Sequence, residues 1–578
     1  MKTSQKPYQP IKLCVLVLLL LFPAVAGQAI LPNAQLNWIG AGRHQMRPLP
    51  LGKGLPPMDS VSPDPWIPAN NSVRGGKAVG DWSEQPLPDW QTKGKVTAPR
   101  VVLAKLASNR DIEATNRYLR ESTPWSGAGS NWLLFKGDYD FTLTTLTTIL
   151  YLFGNDPDRL YPETLRHLLE VLLTEEGDTP LVTAPLTFGL VLDTENHHLM
   201  TEGSRYLKNQ WLRNYGDAEQ RGNPLYDNEA NGMAAWISAY LDLMIHEGVY
   251  EFNSNPYAGY TLQALLNLEA FPESPVIRRK ARYLLDIMNL QYALGSLDLR
   301  RNPPFRRRYE KTDETELNDD PHSAYMRAWL QLSQERVPPE WEMNRYSGHV
   351  LLAELLPYRL PKDIAAWTVR KEVPYFVRFG RGPSGCPEIY SGGPGYLLSA
   401  GGANRGFRSH IVARPVTLLL SDGSTEIQDC FHIRGKGPWF SWNTTGVYSR
   451  FACANGSVHV PATMQPVAEG YGWRIYRAVR PKDFLIAVYE DKRVGILSLF
   501  PECAQTPESL LEAILAVNGD SESLRTRFIH PDGTVLEYEP DAPKGTWVME
   551  TADGQALERA YDAWPQFIGD LAPIHFSR

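Results

Sequence analysis

The sequence predicts a helical domain followed by an antiparallel β domain, and three observations carry that expectation. From Val101 to about Val369 apolar residues recur at helical spacing, as in Leu165, Leu168, Leu169, Leu172 and Leu173. After Arg370 the pattern changes to short β-branched or alternating runs such as Val416-Thr417-Leu418-Leu419-Leu420 and Phe484-Leu485-Ile486-Ala487-Val488-Tyr489. Turn signals separate those runs, among them Ser421-Asp422-Gly423, Ala454-Asn455-Gly456 and Pro531-Asp532-Gly533.

The chain begins with Lys2, Lys6 and Lys12 ahead of an apolar run, Leu13 to Phe22, and then Pro23-Ala24-Val25-Ala26. That order reads as a cleaved secretory leader over 1–26, too short in its apolar core for a bilayer span, and it places the mature protein in the periplasm or outside the cell. Residues 27–97 are rich in Pro, Gly, Asn and Trp and read as an extended arm, with Trp66, Trp82 and Trp90 as its anchors. Helices are expected over 101–120, 140–153, 161–173, 198–214, 229–246, 257–269, 275–293, 321–334 and 347–356, within a domain spanning 98–369. Paired helices stacked in a ring or a solenoid fit this rhythm better than a simple bundle. The β domain is expected over 370–578, with one helix at 505–518 and a cleft near the domain junction.

The whole chain has 58 basic and 65 acidic residues, a net charge of -7. Losing the three lysines of the leader takes this to about -10, a balance that argues against a nucleic-acid partner. The chain contains 16 Trp and 27 Tyr, enough aromatic surface for stacking on sugar rings even when most of it is core. Cys14 leaves with the leader. Of Cys386, Cys430, Cys453 and Cys503, export permits a disulfide, and Cys430 with Cys453 is the pair that a hairpin between them suggests, against buried free thiols as the alternative.

Two stretches concentrate chemistry. In Asp193-Thr194-Glu195-Asn196-His197-His198, followed by Glu202 and Arg205, helical spacing brings His198, Glu202 and Arg205 to one face. His197 or His198 can accept or relay a proton near neutral pH, and Asn196 can donate to a carboxylate. The same residues also read as an N-cap, Asn196, ahead of a solvated helix. The second stretch, Glu251-Phe252-Asn253-Ser254-Asn255-Pro256-Tyr257, places Pro256 at a helix start and sets Tyr257 and Tyr260 one turn apart at a helix N-terminus, where a phenolate is favoured. Plain packing of both tyrosines is the competing reading.

Carboxylates at Asp138, Asp140, Asp193, Glu195, Asp227, Glu229, Glu247 and Glu251 keep a glycosidase mechanism open. Arg300-Arg301 and Arg306-Arg307-Arg308 can bind an anionic chain, but the acids from Asp313 to Asp320 favour a solvated loop. The glycine-rich stretch around Tyr390, Arg405 and His410 lacks a dinucleotide or phosphate-loop pattern and reads as turns that bring those side chains toward the cleft. No HExxH or regular Cys/His spacing occurs, so no cofactor and no catalytic metal is expected; a metal on Asp193, Glu195 or Asp227 and a structural divalent ion on His410, His432 and His459 are the metal readings left open.

At Asn196-His197-His198 and at Glu251 to Tyr257, the chain resembles exported bacterial proteins of the helical-toroid polysaccharide-lyase superfamily, which includes alginate and heparin lyase types. The resemblance spans roughly residues 100 to 500. It implies an incomplete α/α toroid followed by an antiparallel β-sandwich-like domain, and β-elimination at a uronic acid of an acidic polysaccharide, with no membrane span in the mature chain. Asn196 and His197, with His198 as a close substitute, match the residues that neutralise the uronate carboxylate. Tyr257 and His410 match the proton-transfer residues. Glu251, Asn253, Tyr260, Arg205, Tyr390 and Arg405 are the expected substrate contacts. The doubled histidine departs from the pattern. A glycoside hydrolase of the same architecture and a noncatalytic glycan-binding protein are the alternatives.

Overall fold

The computed structural model describes residues 76–125, 138–180, 193–249 and, with further gaps, 251–570, together with a few positions between 55 and 68. The leader and most of the arm lie outside the described residues. The chain is a mixed multidomain protein in which helices come first and antiparallel sheets follow. Among the described residues, no helix is long and apolar enough to cross a membrane.

The helices that build the first part are α1 (Lys77–Ser83), α2 (Thr97–Ala107), α3 (Ile112–Glu121), α4 (Asp140–Phe153), α5 (Pro162–His167), α6 (Glu195–Tyr215), α7 (Met233–Glu247), α8 (Ala258–Ala270), α9 (Pro275–Leu294), α10 (Pro321–Leu332), α11 (Ser347–Leu355) and α12 (Lys362–Val369). The single helix expected over 101–120 is two. Asn109 and Asp111 between α2 and α3 take left-handed backbone angles, φ 56° and 52°, which a right-handed helix cannot continue through. The helix expected over 161–173 changes at Leu168 into a π-helical turn, Leu168–Leu172. In the arm, Trp66 stacks on Phe271 with ring centroids 6.3 Å apart, and buried Trp90 donates from Nε1 to Thr123 O at 2.8 Å.

Helix α8 is the hub. It packs against α4, α6, α9, α10 and α11, and every one of its residues except Tyr260 is buried. Burial on all sides demands that its polar side chains find partners. Gln263 donates to Thr145 Oγ1 at 2.8 Å, and Asn267 accepts from Thr148 Oγ1 at 2.8 Å while donating to Thr144 O at 2.9 Å. Helix α4 supplies those threonines and is itself wholly buried. Its Thr144, Thr147 and Thr148 hydroxyls donate back to carbonyls four residues earlier, so none of these three is stranded. Gly259 is required where α8 begins, because a Cβ there would lie 2.3 Å from Pro321 Cβ. Helix α11 returns to pack on α1 and α2, so the last helices meet the first.

The second part is built on a seven-stranded antiparallel sheet in the order Val458–His459, Phe431–Ile433, Val416–Leu420, Tyr396–Gly401, Glu388–Gly393, Tyr375–Phe379, Ile568–Asp570. Successive side chains of a strand point to opposite faces, and here both faces are covered. Tyr375, Val377, Phe379, Tyr390, Leu397 and Leu419 join the core of the helical part. Ile389, Tyr396, Leu398, Ala400, Leu418 and Leu420 join a second core shared with a six-stranded sheet that runs from Thr445–Tyr448 to Pro466–Gly470. The run Val416–Leu420, apolar except for Thr417, is explained by this, since no face of it meets water. A four-stranded sheet within 527–556 and helix α13 (Pro507–Asn518) complete the described part.

The expected Cys430–Cys453 pair is absent. Cys430 belongs to the core on the helical side and Cys453 to the core between the sheets, and both are buried free thiols. Burial pushes the Cys430 thiol up to about 12. Cys386 and Cys503 lie outside the described residues.

Arg300 to Asn302 lock the two parts together, which overturns the solvated-loop expectation for Arg300 and Arg301. Both are buried. Arg300 donates to Leu420 O at 2.6 Å and Ser424 O at 2.7 Å, while Asn302 donates to Leu397 O at 3.2 Å and Thr417 O at 3.3 Å. Arg301 donates to Gln291 O at 2.7 Å and to Asn253 Oδ1, and its guanidinium lies over the rings of Tyr292 and Tyr390. Removing this side chain takes away its hydrogen bonds to both carbonyls and empties the space between two rings. Arg301→Ala is expected to lower stability by about 3 kcal/mol, read as a lower urea midpoint with the slope unchanged.

Candidate functional site

The N-termini of α4, α6 and α8 converge, and each brings a chemically active side chain. Asp140 is the first residue of α4, His197 lies in the first turn of α6, and Tyr257 immediately precedes α8. Helix α6 starts at Glu195 behind Thr194, two residues earlier than an Asn196 cap requires. Asn196 is therefore inside the helix and fully buried, where its amide donates to Thr194 Oγ1 at 3.0 Å and to Glu251 Oε2 at 2.5 Å.

Residues Glu251 to Ser254 hold this end of the molecule together. The Glu251 N–H donates to Glu195 Oε1 at 2.7 Å, so Glu251 grips the start of α6 through both backbone and side chain. Asn253 adopts φ 49°, a left-handed conformation that asparagine tolerates better than most residues. Its amide donates to the Tyr390 hydroxyl at 3.1 Å and its carbonyl accepts from Arg301, so the loop also grips the seven-stranded sheet. Tyr390 in turn donates to Glu388 Oε2 at 3.0 Å and is fully buried. Glu251, Asn253 and Tyr390, expected as substrate contacts, thus stand behind the site as its frame.

His197 faces the opening. Its Nδ1–H donates to Asp140 Oδ2 at 2.6 Å, and its Nε2 lies 4.0 Å from Asp193 Oδ1. The side chain is 17% exposed, so it is both reachable and partly shielded from water. Burial disfavours its charge, but Asp140 and Asp193 at close range, with Asp138 behind them, outweigh burial and raise the imidazole to about 10. Burial also pushes the Asp140 carboxyl up, against the pull of His197. Three acids share the support of one imidazole, so the imidazolium does not depend on Asp140 alone. The α4 terminus favours the Asp140 carboxylate, which further fits the pair.

The Phe141 ring is the centre of the aromatic floor. Its centroid lies 4.4 Å from Tyr260, 5.6 Å from His197 and 6.5 Å from Tyr257, and Lys95 Nζ sits 4.2 Å above it while pairing with Asp138 at 2.8 Å. The His197 and Tyr257 rings are 6.4 Å apart. Tyr257 and Tyr260 are both partly exposed. The opening therefore presents an imidazolium, an ammonium and two phenols, with the imidazole and the phenols in or beside the first turns of α6 and α8.

The two adjacent histidines part company. His198 is buried against Trp236 and Tyr240, with Nδ1 2.9 Å from the Tyr240 hydroxyl. Arg205 does not converge with His198 on a groove; it is buried in ion pairs with Glu202 at 2.9 Å and Glu175 at 2.8 Å, pinning the segment after α5 to α6. His410 and Arg405 lie outside the described residues. On the neighbouring strands of the sheet, the His432 and His459 rings stack with centroids 4.2 Å apart, and no group of three or more metal-ligating side chains forms among the described residues.

Sequence reasoning singled out Asp193, His197, Tyr257 and Tyr260 but not Phe141, Lys95, Arg100 or His349, which come from other parts of the chain and carry no local signal. Asp138 and Asp140 were singled out only among the candidate carboxylates of a glycosidase.

The sign of the His197 shift makes a stability prediction. The folded protein holds this proton more tightly than the unfolded chain, so the stabilisation is full below about pH 6.5 and is lost as the pH rises through about 10. The stability gap between the wild type and His197→Gln should be widest at about pH 6 and close toward pH 10 in paired urea titrations. A gap independent of pH would remove the imidazolium.

No protein-family model, no curated protein and no solved structure matches this chain, so the residues of the site carry the functional reading by themselves.

Proposed function

We propose that the protein is an exported polysaccharide lyase, a carbon–oxygen lyase that cleaves an acidic, uronic-acid-containing glycan by β-elimination. The observation that carries this reading is the pairing of a shielded imidazolium, His197, with a partly exposed phenol, Tyr257, at three converging helix N-termini. A proton α to a carboxylate becomes removable when cationic donors stabilise the enediolate that forms. His197, with Lys95 nearby, supplies that charge, and the helix termini add to it. Asn196, tied to Glu251 in the core, supports the His197 backbone rather than meeting the uronate. Tyr257 is the phenol that moves a proton, at a helix start that favours its anion.

The incomplete α/α toroid belongs to this reading, and the return of α11 onto α1 and α2 supports it. So does the β domain braced against the helical part through Tyr390 and Arg301. Export to the periplasm or beyond rests on the leader-like start. A hydrolase is the second reading, favoured by Asp138, Asp140 and Asp193 around one imidazole, with the Asp140 carboxyl pushed up by burial.

Uronic-acid and neutral polysaccharides incubated with the protein distinguish the two. The lyase reading expects ultraviolet absorbance of an unsaturated product to rise with the reducing ends; reducing ends alone would transfer the assignment to hydrolysis. On the polymer that is cleaved, Tyr257→Phe is expected to lower kcat about 100-fold or more with the melting temperature unchanged. Unchanged turnover would reject Tyr257.

A further inference from the structure

The three helices whose N-termini converge at His197 and Tyr257 also end together. The last turns of α4 and α6 touch, because a Cβ on Gly154, the residue that closes α4, would lie 2.6 Å from the Trp211 ring of α6. Phe271 closes α8, and its ring stacks on Tyr151 of α4 with centroids 4.7 Å apart. At about 1.5 Å per residue, the 14 residues of α4 set this end roughly 20 Å from the candidate site.

A small cleft opens there. Tyr151, Trp211 and Phe271 are buried and form its floor. Tyr215 forms one wall, with its ring 4.6 Å from that of Trp211 and 47% of the residue exposed. Gln210 seals the base. Its amide donates to the Tyr151 hydroxyl at 2.9 Å and to Phe271 O at 3.0 Å, and its carbonyl accepts from Glu273 N at 2.8 Å. Asn214 and Glu273 stand exposed at the rim, where the Asn214 amide donates to the Glu273 carboxylate at 2.5 Å.

The charge at this end is the reverse of that at the other. Among the described residues, Glu273 is the one charged side chain that lines the cleft. The ends of α4, α6 and α8 add the negative poles of three helix dipoles, and aromatic faces attract cations. All three terms favour a cation and oppose an anion. The space between the rings holds about one water-sized group, which is the size of a primary ammonium.

We propose that this cleft is a second, noncatalytic binding site, and that it takes a sugar carrying a primary amine. The ammonium enters between the rings and answers Glu273, while the sugar ring lies against the exposed face of Tyr215. A sugar fits better than a bare alkylamine because the wall is an aromatic face flanked by an amide and a carboxylate, which serve hydroxyls. The site stands apart from the lyase reading. That reading places an anion among cations at helix N-termini, whereas this cleft gathers an acid and rings at the C-termini.

Glucosamine, glucose and putrescine, titrated separately into the full chain at about pH 6, where amines are charged, and followed by saturation-transfer NMR, test the assignment. Glucosamine is expected to saturate the site and to bind at least about tenfold more tightly than glucose or putrescine. Glu273→Gln keeps an acceptor for Asn214 and the backbone bond to Gln210. It is expected to weaken glucosamine about tenfold and to leave glucose unchanged. Absence of saturation by glucosamine, equal binding of glucose, or equal binding of putrescine overturns the assignment with the wild-type chain alone. So does an affinity for glucosamine that Glu273→Gln leaves in place. A polymer panel without unsaturated product removes the lyase reading and leaves this site standing.

Discussion

The four residues from Glu251 to Ser254 are the constraint on which the rest of the site depends. Glu251 fixes where α6 begins, through Glu195 on its backbone and Asn196 on its carboxylate. Asn253, in a backbone conformation few residues accept, fixes the same loop to Arg301 and Tyr390. The chain then runs directly into α8, the helix that the other helices surround. Position is transmitted from the sheet to the His197 and Tyr257 side chains through short, buried hydrogen bonds, the kind of support that holds reactive groups in place.

The electrostatics follow from that geometry. Three helix N-termini pointing at one opening would favour anions, and the protein has filled the position nearest α4 with Asp140. Asp140 and Asp193 then hold a proton on His197, which restores a positive charge at the surface of the site. Lys95 adds a second cation over the Phe141 ring, and Arg100 a third behind Tyr260. These cations stand in a chain whose formal net charge is -7 over its full length.

Much of the fold was legible because burial is periodic. The ranges 140–153, 275–293 and 347–356 fall within a residue of α4, α9 and α11, since those helices carry regular apolar faces. The break between α2 and α3 was not legible, because apolar spacing continues across two left-handed residues. Arg300 and Arg301 were misread for a related reason: charge in sequence looks solvated, and only the fold shows the carbonyls that enclose it. At the site, His197 and Tyr257 could be found because functional groups cluster locally at helix starts. Which histidine faces the opening, that Asn196 turns inward, and that Arg100 lies beneath Tyr260 are long-range facts with no local signature.

The most direct test of the keystone loop is a double-mutant cycle between Asn196→Ala and Arg301→Ala, residues that touch its two ends and not each other. Since both act through residues 251–254, the loss of stability in the double variant should differ from the sum of the single losses by about 0.5–3 kcal/mol in urea unfolding. Additivity to within about 0.3 kcal/mol would show that the α6 start and the sheet contact are independent, and would contradict the account.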